Sequence, residues 1–345
     1  MSEPHRFSLS DLVAALQAQT LPPTLTPQAL AHVLQTLCRS GLDDLPLPGQ
    51  GNTLLRWQAL ARVAAFDLSL CKLYEGHTDA LAIMRHWAAP AIPSGSTWGM
   101  WAAEPPQARV TVRTAHPGGF VHLQGVKAWC SGAATVSHAL VTAWNPAGQQ
   151  QLVAVALDQP GVHVTGNGWQ AVGMAATQSV EVQFDGAQAH PVGPPGGYLA
   201  RAGFWHGGAG IAACWFGSAQ VIAEALRKHC TRSEDPHGLA HLGAVDYSLH
   251  CAANLLRDTA HWIDRHPTAD ALLPAQRLRA QCEHSAEQVI SHVGRALGAT
   301  PYCRDAHLAR HLCDLPVYLR QSHAERDRAA LGAVVARERP GSWMP

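Results

Sequence analysis

The stretch HLQGVKAWCSGAATVSHALVTAWN, His122 to Asn145, begins with the alternation of a strand and pauses at Gly125. It sets Lys127 and Trp129 just ahead of a small-residue turn, Ser131-Gly132-Ala133, and a second apolar run, Ala139 to Ala143, follows at once. The pattern is that of two strands meeting at a tight corner. Outward from it, between Ala91 and about Val192, the runs ARVTVRT, GFVHLQG, SHALVTAW, QQLVAVALD, GVHVTG and QSVEVQFD alternate and are separated by Gly, Pro and Asn. Short alternating runs with turn residues between them predict an antiparallel sheet, closed as a sandwich or barrel.

The flanking segments have the other period. From Ser10 to about Trp87 the chain reads as helices: DLVAALQAQ after a serine cap, TPQALAHVLQTLCR with proline at its start and Gly41 at its end, then one long run LLRWQALARVAAFDLSLCKLYEGHTDALAIMRHW. After the Pro/Gly connector AHPVGPPGGYLAR, helical periodicity returns from Phe204 to about Leu331, with breaks at RSEDPHG, RHPTADALLP and GATPY. Successive blocks of one type argue against βαβ units and for an α+β chain. The expected division is a helical domain over 1–92, an antiparallel β domain over 93–192, a C-terminal four-helix bundle over 193–335 and a tail over 336–345.

Composition narrows the function classes. The 345 residues carry 25 Lys+Arg against 25 Asp+Glu, and only Lys72, Lys127 and Lys228 are lysines, so no basic stripe points to nucleic acid. The 9 cysteines form no CxxC pair, and the N-terminus has no apolar signal core, which predicts a cytoplasmic chain with reduced thiols. The most apolar run, GIAACWFGSAQVIAEALRKH, is interrupted by Ser218, Gln220 and Glu224, which argues against a membrane span of about 20 apolar residues. The pairs His237/His241 and His307/His311 have the i, i+4 spacing of metal ligands, but neither has an evident third partner, so no metal is expected. Cys130 has no nearby base and reads as a small buried thiol.

The order of blocks together with these motifs resembles the acyl-CoA dehydrogenase superfamily of flavoproteins from about Trp98 to Ala330. GMWAAEPPQA is similar to the family's first sheet segment with its Thr-Glu-Pro; Glu104 and Pro105 match, while Ala103 stands at the flavin-binding threonine position, so that side chain's hydrogen bond is lost or moved. LQGVKAWCSGA resembles Gly-x-Lys-x-Trp-Ile-Thr/Ser-x-Ala, which implies that Trp129 and Ser131 flank an isoalloxazine ring. GWQAVGMAATQSVEVQFDGAQAH is similar to the segment that closes the sheet. Farther on, Arg232 falls at the family's FAD-contacting arginine, with Asp235 and Pro236 in place of Phe and Gly. RALGATPYCRDAHLARHLCD matches at Gly298, Tyr302, Arg310 and Asp314, with Arg295 at a glutamine position.

The family's catalytic glutamate, counted on from Asp314, lands on Gln321-Ser322-His323-Ala324, and the alternative base position on the first C-terminal helix is Arg201. The resemblance therefore implies FAD held by Trp129, Ser131, Ala103, Arg232, Arg295 and Gly298, with Ser322 and His323 as the candidate catalytic residues. A neutral histidine can accept a proton near pH 7; a serine needs activation first. The expected activity is FAD-dependent CH–CH oxidation of an acyl thioester, carried by CoA or another carrier, or of a related small substrate. The alternatives are a flavin monooxygenase on the same fold and a non-catalytic interaction subunit. The resemblance also implies a homodimer or homotetramer.

Overall fold

The computed structural model describes residues 7–87, 92–115, 119–338, 341, 343 and 344; the expected start of the sheet region at Ala91 lies outside them. The chain divides into two compact units, one of residues Met1–Leu47 and Arg62–Phe204, the other of Pro48–Ala61 and Trp205–Pro345.

In the first unit the helices start where short polar side chains can take up free backbone N–H groups. Helix α1 (Leu9–Gln17) is capped by Ser8, two residues before the serine expected, and α2 (Pro27–Arg39) by Thr26 with proline in its first turn. The long third helical run is two helices, α3 (Thr53–Phe66) and α4 (Leu68–His86). Asp67 divides them: its backbone is extended, and its carboxylate accepts from the Leu70 N–H at 2.9 Å. Apolar periodicity runs straight through this break, which is why the pattern alone does not show it.

Among the described residues seven strands follow: β1 (Trp98–Trp101), β2 (Val110–Ala115), β3 (Val121–Cys130), β4 (His138–Trp144), β5 (Gln150–Ala156), β6 (Val162–Val164) and β7 (Val180–Val192). Antiparallel pairings join β2 to β3, β3 to β7, β7 to β5 and β5 to β4. A single parallel pair, Thr111 with Trp144, returns from β4 to β2 and closes the ring as a barrel. Strand β1 adds to β4 in parallel over Trp98–Trp101, so the sheet is mixed, because β1 is followed by the crossover β2–β3 before β4 is laid beside it. Strands β3 and β7 both run past their expected ends.

The second unit contains the start of α3 with α6 (Gly203–Cys230), α7 (Pro236–Arg265), α8 (Leu272–Leu297), α9 (Thr300–Cys303), α10 (Ala306–Leu319) and α11 (Glu325–Val335); the short α5 (Gly197–Ala200) belongs to the first. Asp235, with Pro236 in the first turn, caps α7 by accepting from His237 and Gly238 N–H. Contacts between α7 and α8 pair Ser248 with Ser285 and His241 with His292, so the two helices run antiparallel. At the start of α3, Asp264 of α7 accepts from the Gly51 and Thr53 N–H groups and from the Thr53 hydroxyl at 2.6 Å. Helix α6 is long and apolar, and 78% of its most apolar window is buried, as in a core helix.

Close packing of α6 on the first turns of α3 depends on small residues. A Cβ at Gly217 would overlap the Ala61 carbonyl oxygen, and one at Gly210 would stand 3.3 Å from the Trp57 indole nitrogen. Gly217→Ala is therefore expected to cost about 2–3 kcal/mol, since overpacking against backbone has no side-chain escape. Urea denaturation of the variant against the parent checks this, and an unchanged midpoint would refute the contact.

Candidate active site

The residues of the opening motif sit around a buried cation. Along β3, Val121, Leu123, Gly125 and Lys127 share one face by the two-residue period, and the Lys127 side chain is fully buried. Its Nζ donates to Thr142 Oγ1 at 2.6 Å, to the Thr142 carbonyl at 2.9 Å and to Glu104 Oε1 at 3.2 Å. Glu104 also accepts from Thr142 Oγ1 at 2.8 Å and from Trp144 Nε1 at 3.0 Å, and the Arg109 guanidinium lies 4.1 Å from the Trp144 ring centre. Burial pushes the Glu104 carboxyl up, but the Lys127 charge and the bonds from Thr142, Lys127 and Trp144 outweigh it, so it titrates below its ordinary value. For Lys127 burial dominates and lowers the ammonium against the opposing pull of Glu104.

Past Lys127 the pairing with β7 slips: Lys127 faces Val182 but Cys130 faces Val180, one residue too many on β3. Such a bulge re-aims side chains. Trp129 occupies it with φ of 56° and is 55% exposed, while Ala128 and Cys130 on either side are buried. A left-handed aromatic residue costs of order 1–3 kcal/mol, and such strain persists where surrounding structure enforces it. The enforcing contacts are Trp101 Nε1 donating to the Ser131 carbonyl at 3.1 Å and Gly132 N–H donating to the Thr177 carbonyl at 2.8 Å. Ser131 Oγ bonds Ser179 Oγ at 2.7 Å and, with Lys72, Gly76, Trp98, Trp101 and Val136, lines a shallow depression. Ala103 is half-buried in the loop after β1 and contributes no hydroxyl. Burial pushes the Cys130 thiol up, which agrees with an inert buried cysteine.

In the helical unit the two candidate catalytic residues have different environments. Ser322 is buried and donates to Glu283 Oε2 at 2.8 Å, while its Oγ accepts from the Ala324 N–H at 3.1 Å. Glu283, on α8 and 2% exposed, also takes an Arg320 N–H on its other oxygen at 3.0 Å. His323 is exposed; its Nδ1 lies 3.5 Å from Asp327 Oδ1, and its backbone N–H donates to Asp327 Oδ2 at 3.0 Å. Ala324 follows with φ of 45°. Glu283 is absent from the sequence reading; its only signal is that it lies beside Cys282 on the buried stripe of α8. Arg232 is exposed just past α6, Arg295 is exposed in the last turn of α8, and Gly298 ends that helix in a positive-φ conformation. Arg201 follows α5, with its guanidinium 5.1 Å from the Tyr198 ring centre. The structure thus groups Trp129, Ser131 and Ala103 in the barrel unit, and Ser322 and His323 on one turn of the helical unit.

Cys38, Asp43 and His77 form a cluster of metal-ligand type among the described residues. Its hydrogen bonds argue against a metal. His77 Nδ1 accepts the Trp98 N–H at 3.1 Å, so the neutral ring carries its proton on Nε2, which donates to Asp43 Oδ2 at 3.0 Å and has no lone pair for an ion. Burial first, then Asp43, pushes the Cys38 thiol up, away from the thiolate that a metal needs. The cluster's service is to pin the start of β1. The other histidine pairs are also internally bonded, His241 to His292 at 2.8 Å, and His311 to Ser218 at 2.8 Å and to His307 at 3.3 Å.

The sequence matches no protein-family profile, and no protein of curated function is similar to it. Solved structures are similar in fold. FMN-bound TdsC from Paenibacillus sp. A11-2, a dibenzothiophene monooxygenase, has a TM-score of 0.75 at 20% identity over 94% of this chain and 98% of that one. Methanesulfinate monooxygenase MsuC from Pseudomonas fluorescens has a TM-score of 0.74 at 18% identity, covering 96% and 98%. KijD3, in complex with FMN and a dTDP-linked amino-keto sugar, has a TM-score of 0.77 at 18% identity, covering 96% and 93%. The chain has the acyl-CoA dehydrogenase-like fold that the sequence resemblance implied.

Removing one member of the buried pair leaves the other uncompensated. Lys127→Met is expected to lose about 3 kcal/mol of stability. The Glu104 contribution is fully present above its ordinary pKa of 4.5 and is lost as pH falls through its lower folded value. Between pH 6 and 3, urea midpoints should therefore fall more steeply for the parent than for Glu104→Gln; parallel profiles would contradict the assigned pairing.

Proposed function

We propose that the chain is a flavin-dependent monooxygenase-type enzyme acting on a small molecule. The observation that carries this is the Ser322 turn. In the family that the sequence resembles, a free carboxylate removes the acyl α-proton. The position that the resemblance assigns to it holds a serine whose hydroxyl is committed to Glu283, and both Glu283 oxygens are engaged, one by Ser322 and one by Arg320. Oxygen transfer from a reduced flavin has no such requirement, and the fold neighbours named as monooxygenases support the same reading.

The residues present fit a flavin. An exposed tryptophan that the bulge turns outward, followed by a serine that lines a depression, offers an apolar plane and a polar contact suited to a planar heterocycle. FMN in the TdsC and KijD3 structures favours FMN over the FAD expected from sequence. When bound and reduced, the flavin supplies the two electrons by which one oxygen atom of O₂ enters the substrate and the other leaves as water. Trp129 provides an apolar plane and Ser131 a polar contact at its edge. His323, with Asp327 beside its ring, is the candidate proton-transfer residue of the helical unit. Arg232, Arg295 and Gly298 remain the candidate phosphate contacts that the sequence resemblance implies for the helical unit, and homo-oligomeric assembly in the cytoplasm belongs to the same proposal.

Purified protein should show a flavin absorbance band, or take up added FMN with quenching of tryptophan fluorescence. Trp129→Ala should weaken uptake about 3- to 10-fold, the magnitude of one aromatic stacking contact. Colourless protein that binds neither FMN nor FAD would sink the proposal. Given a substrate that stimulates oxygen consumption by the reduced holoprotein, His323→Ala should slow the coupled rate on the order of 10²-fold, and Asp327→Asn less. Anaerobic bleaching of the oxidised holoprotein by simple acyl-CoAs would instead favour dehydrogenation.

A further inference from the structure

We infer that His241 and His292 form a pH-sensitive clasp in the seam between α7 and α8, closed while the pair carries at most one positive charge and opened by a second proton. The antiparallel register puts the pair inside that seam. Positions 241 and 292 face each other as 248 and 285 do, seven residues or two turns away along each helix. Ser248 and Ser285 are buried and uncharged, whereas the histidines are half-buried, so protons from solvent reach them. Their Nδ1 atoms lie 2.8 Å apart. At that distance one hydrogen lies between the two nitrogens, whichever ring donates it.

Two neutral rings satisfy this with one protonated on Nδ1 and the other on Nε2. A first added proton is accommodated, because it goes to the bare Nε2 of the donor ring and the imidazolium still donates to its neutral partner. A second is not: it would set two N–H groups nitrogen to nitrogen, with like charges behind them. The neighbours reinforce the exclusion. Burial first, then His241 and Arg295, lowers the His292 imidazole below its ordinary 6.5, and both of these neighbours are bases. On α7, His237 stands one turn before His241 and is exposed, while Asp235 is bound to the His237 and Gly238 N–H groups. Asp246 is exposed five residues past His241, on another side of α7. On α8, Glu287 pairs with Arg320. From α9 comes the Tyr302 hydroxyl, against Gly294; on α10, His307 and His311 are turned to each other and to Ser218; on α11, Glu325 and Asp327 face Arg328 and His323.

Two histidines in an unfolded chain bind two protons below about pH 6.5, and the closed clasp binds one. Its contribution is therefore fully present above that pH and is lost as pH falls through the lowered folded value of His292. The test is amide hydrogen exchange of the full chain between pH 8 and 5, corrected for the intrinsic pH dependence of exchange. Protection around His241 and His292 should fall about tenfold from pH 7 to 5, one proton's linkage over roughly one pH unit. Amides around Ser248 and Ser285, in the same seam, should hold theirs. In His292→Gln the side-chain carbonyl accepts from His241 at either charge, so the local profile should be flat. His241→Gln removes the second charge from the other side and serves if the first variant folds poorly. Equal loss around both pairs would mean general acid unfolding and overturns the inference. So does a flat parent profile, or a fall of the same size in the parent and the variants.

Discussion

The Lys127 ammonium lies inside the barrel with Thr142 Oγ1, the Thr142 carbonyl and Glu104 Oε1 around it. An unpaired charge there would be prohibitive, so the three oxygens must be in place when the barrel closes. Their positions matter because of where the barrel is weakest. Strands β2 and β4 meet through one residue pair, Thr111 with Trp144, whereas the other junctions have at least four. Beside that seam, Glu104 accepts from Trp144, and Arg109, just ahead of β2, stacks on the same indole. Side-chain bonds from a buried ion pair thus stand in for backbone bonds that the seam lacks. They also fix the loop after β1, which carries Ala103.

With Lys127 held, the next turn of the chain is constrained at both sides. Lys127 is registered on Val182 and Cys130 on Val180, and the extra residue between them is forced outward as a bulge. Trp129 takes the left-handed conformation because the bonds to Thr177 and from Trp101 fix the corner behind it. The same corner places Ser131 against Ser179 and Thr177. One ion pair and one bulge therefore connect core packing to the exposed Trp129 and the bonded hydroxyls of Ser131, Ser179 and Thr177.

The helical unit uses a buried carboxylate differently. Glu283 meets Arg320 and Ser322, residues at the end of α10 and in the turn before α11, so a single side chain fixes the turn from which His323 emerges. The positive φ of Ala324 is the local cost of that geometry, and the Ser322 hydroxyl compensates by accepting the Ala324 N–H. A residue that looks like a nucleophile in the sequence is in the fold a brace, and its neighbour is the exposed, titratable group.

The sequence by itself determined the order of helical and strand blocks, because hydrophobic period is a local property: a repeat near four residues before Trp87 and after Phe204, a repeat of two between them. It also determined the flavoprotein-like motif at Gly125–Ala133, since glycine, lysine, tryptophan and small residues at fixed spacing survive in one short stretch. Only tertiary structure decided the division of α3 from α4 at Asp67, the parallel addition of β1 and the single-pair seam of the barrel, for each depends on partners distant in the chain. The same holds for function. That Lys127 meets Glu104, that Ser131 bonds Ser179, and that Ser322 is bound by Glu283 are facts about side chains 23, 48 and 39 positions apart. No period or motif encodes such pairings, because hydrogen bonds and charges act through space, and the fold alone sets those distances.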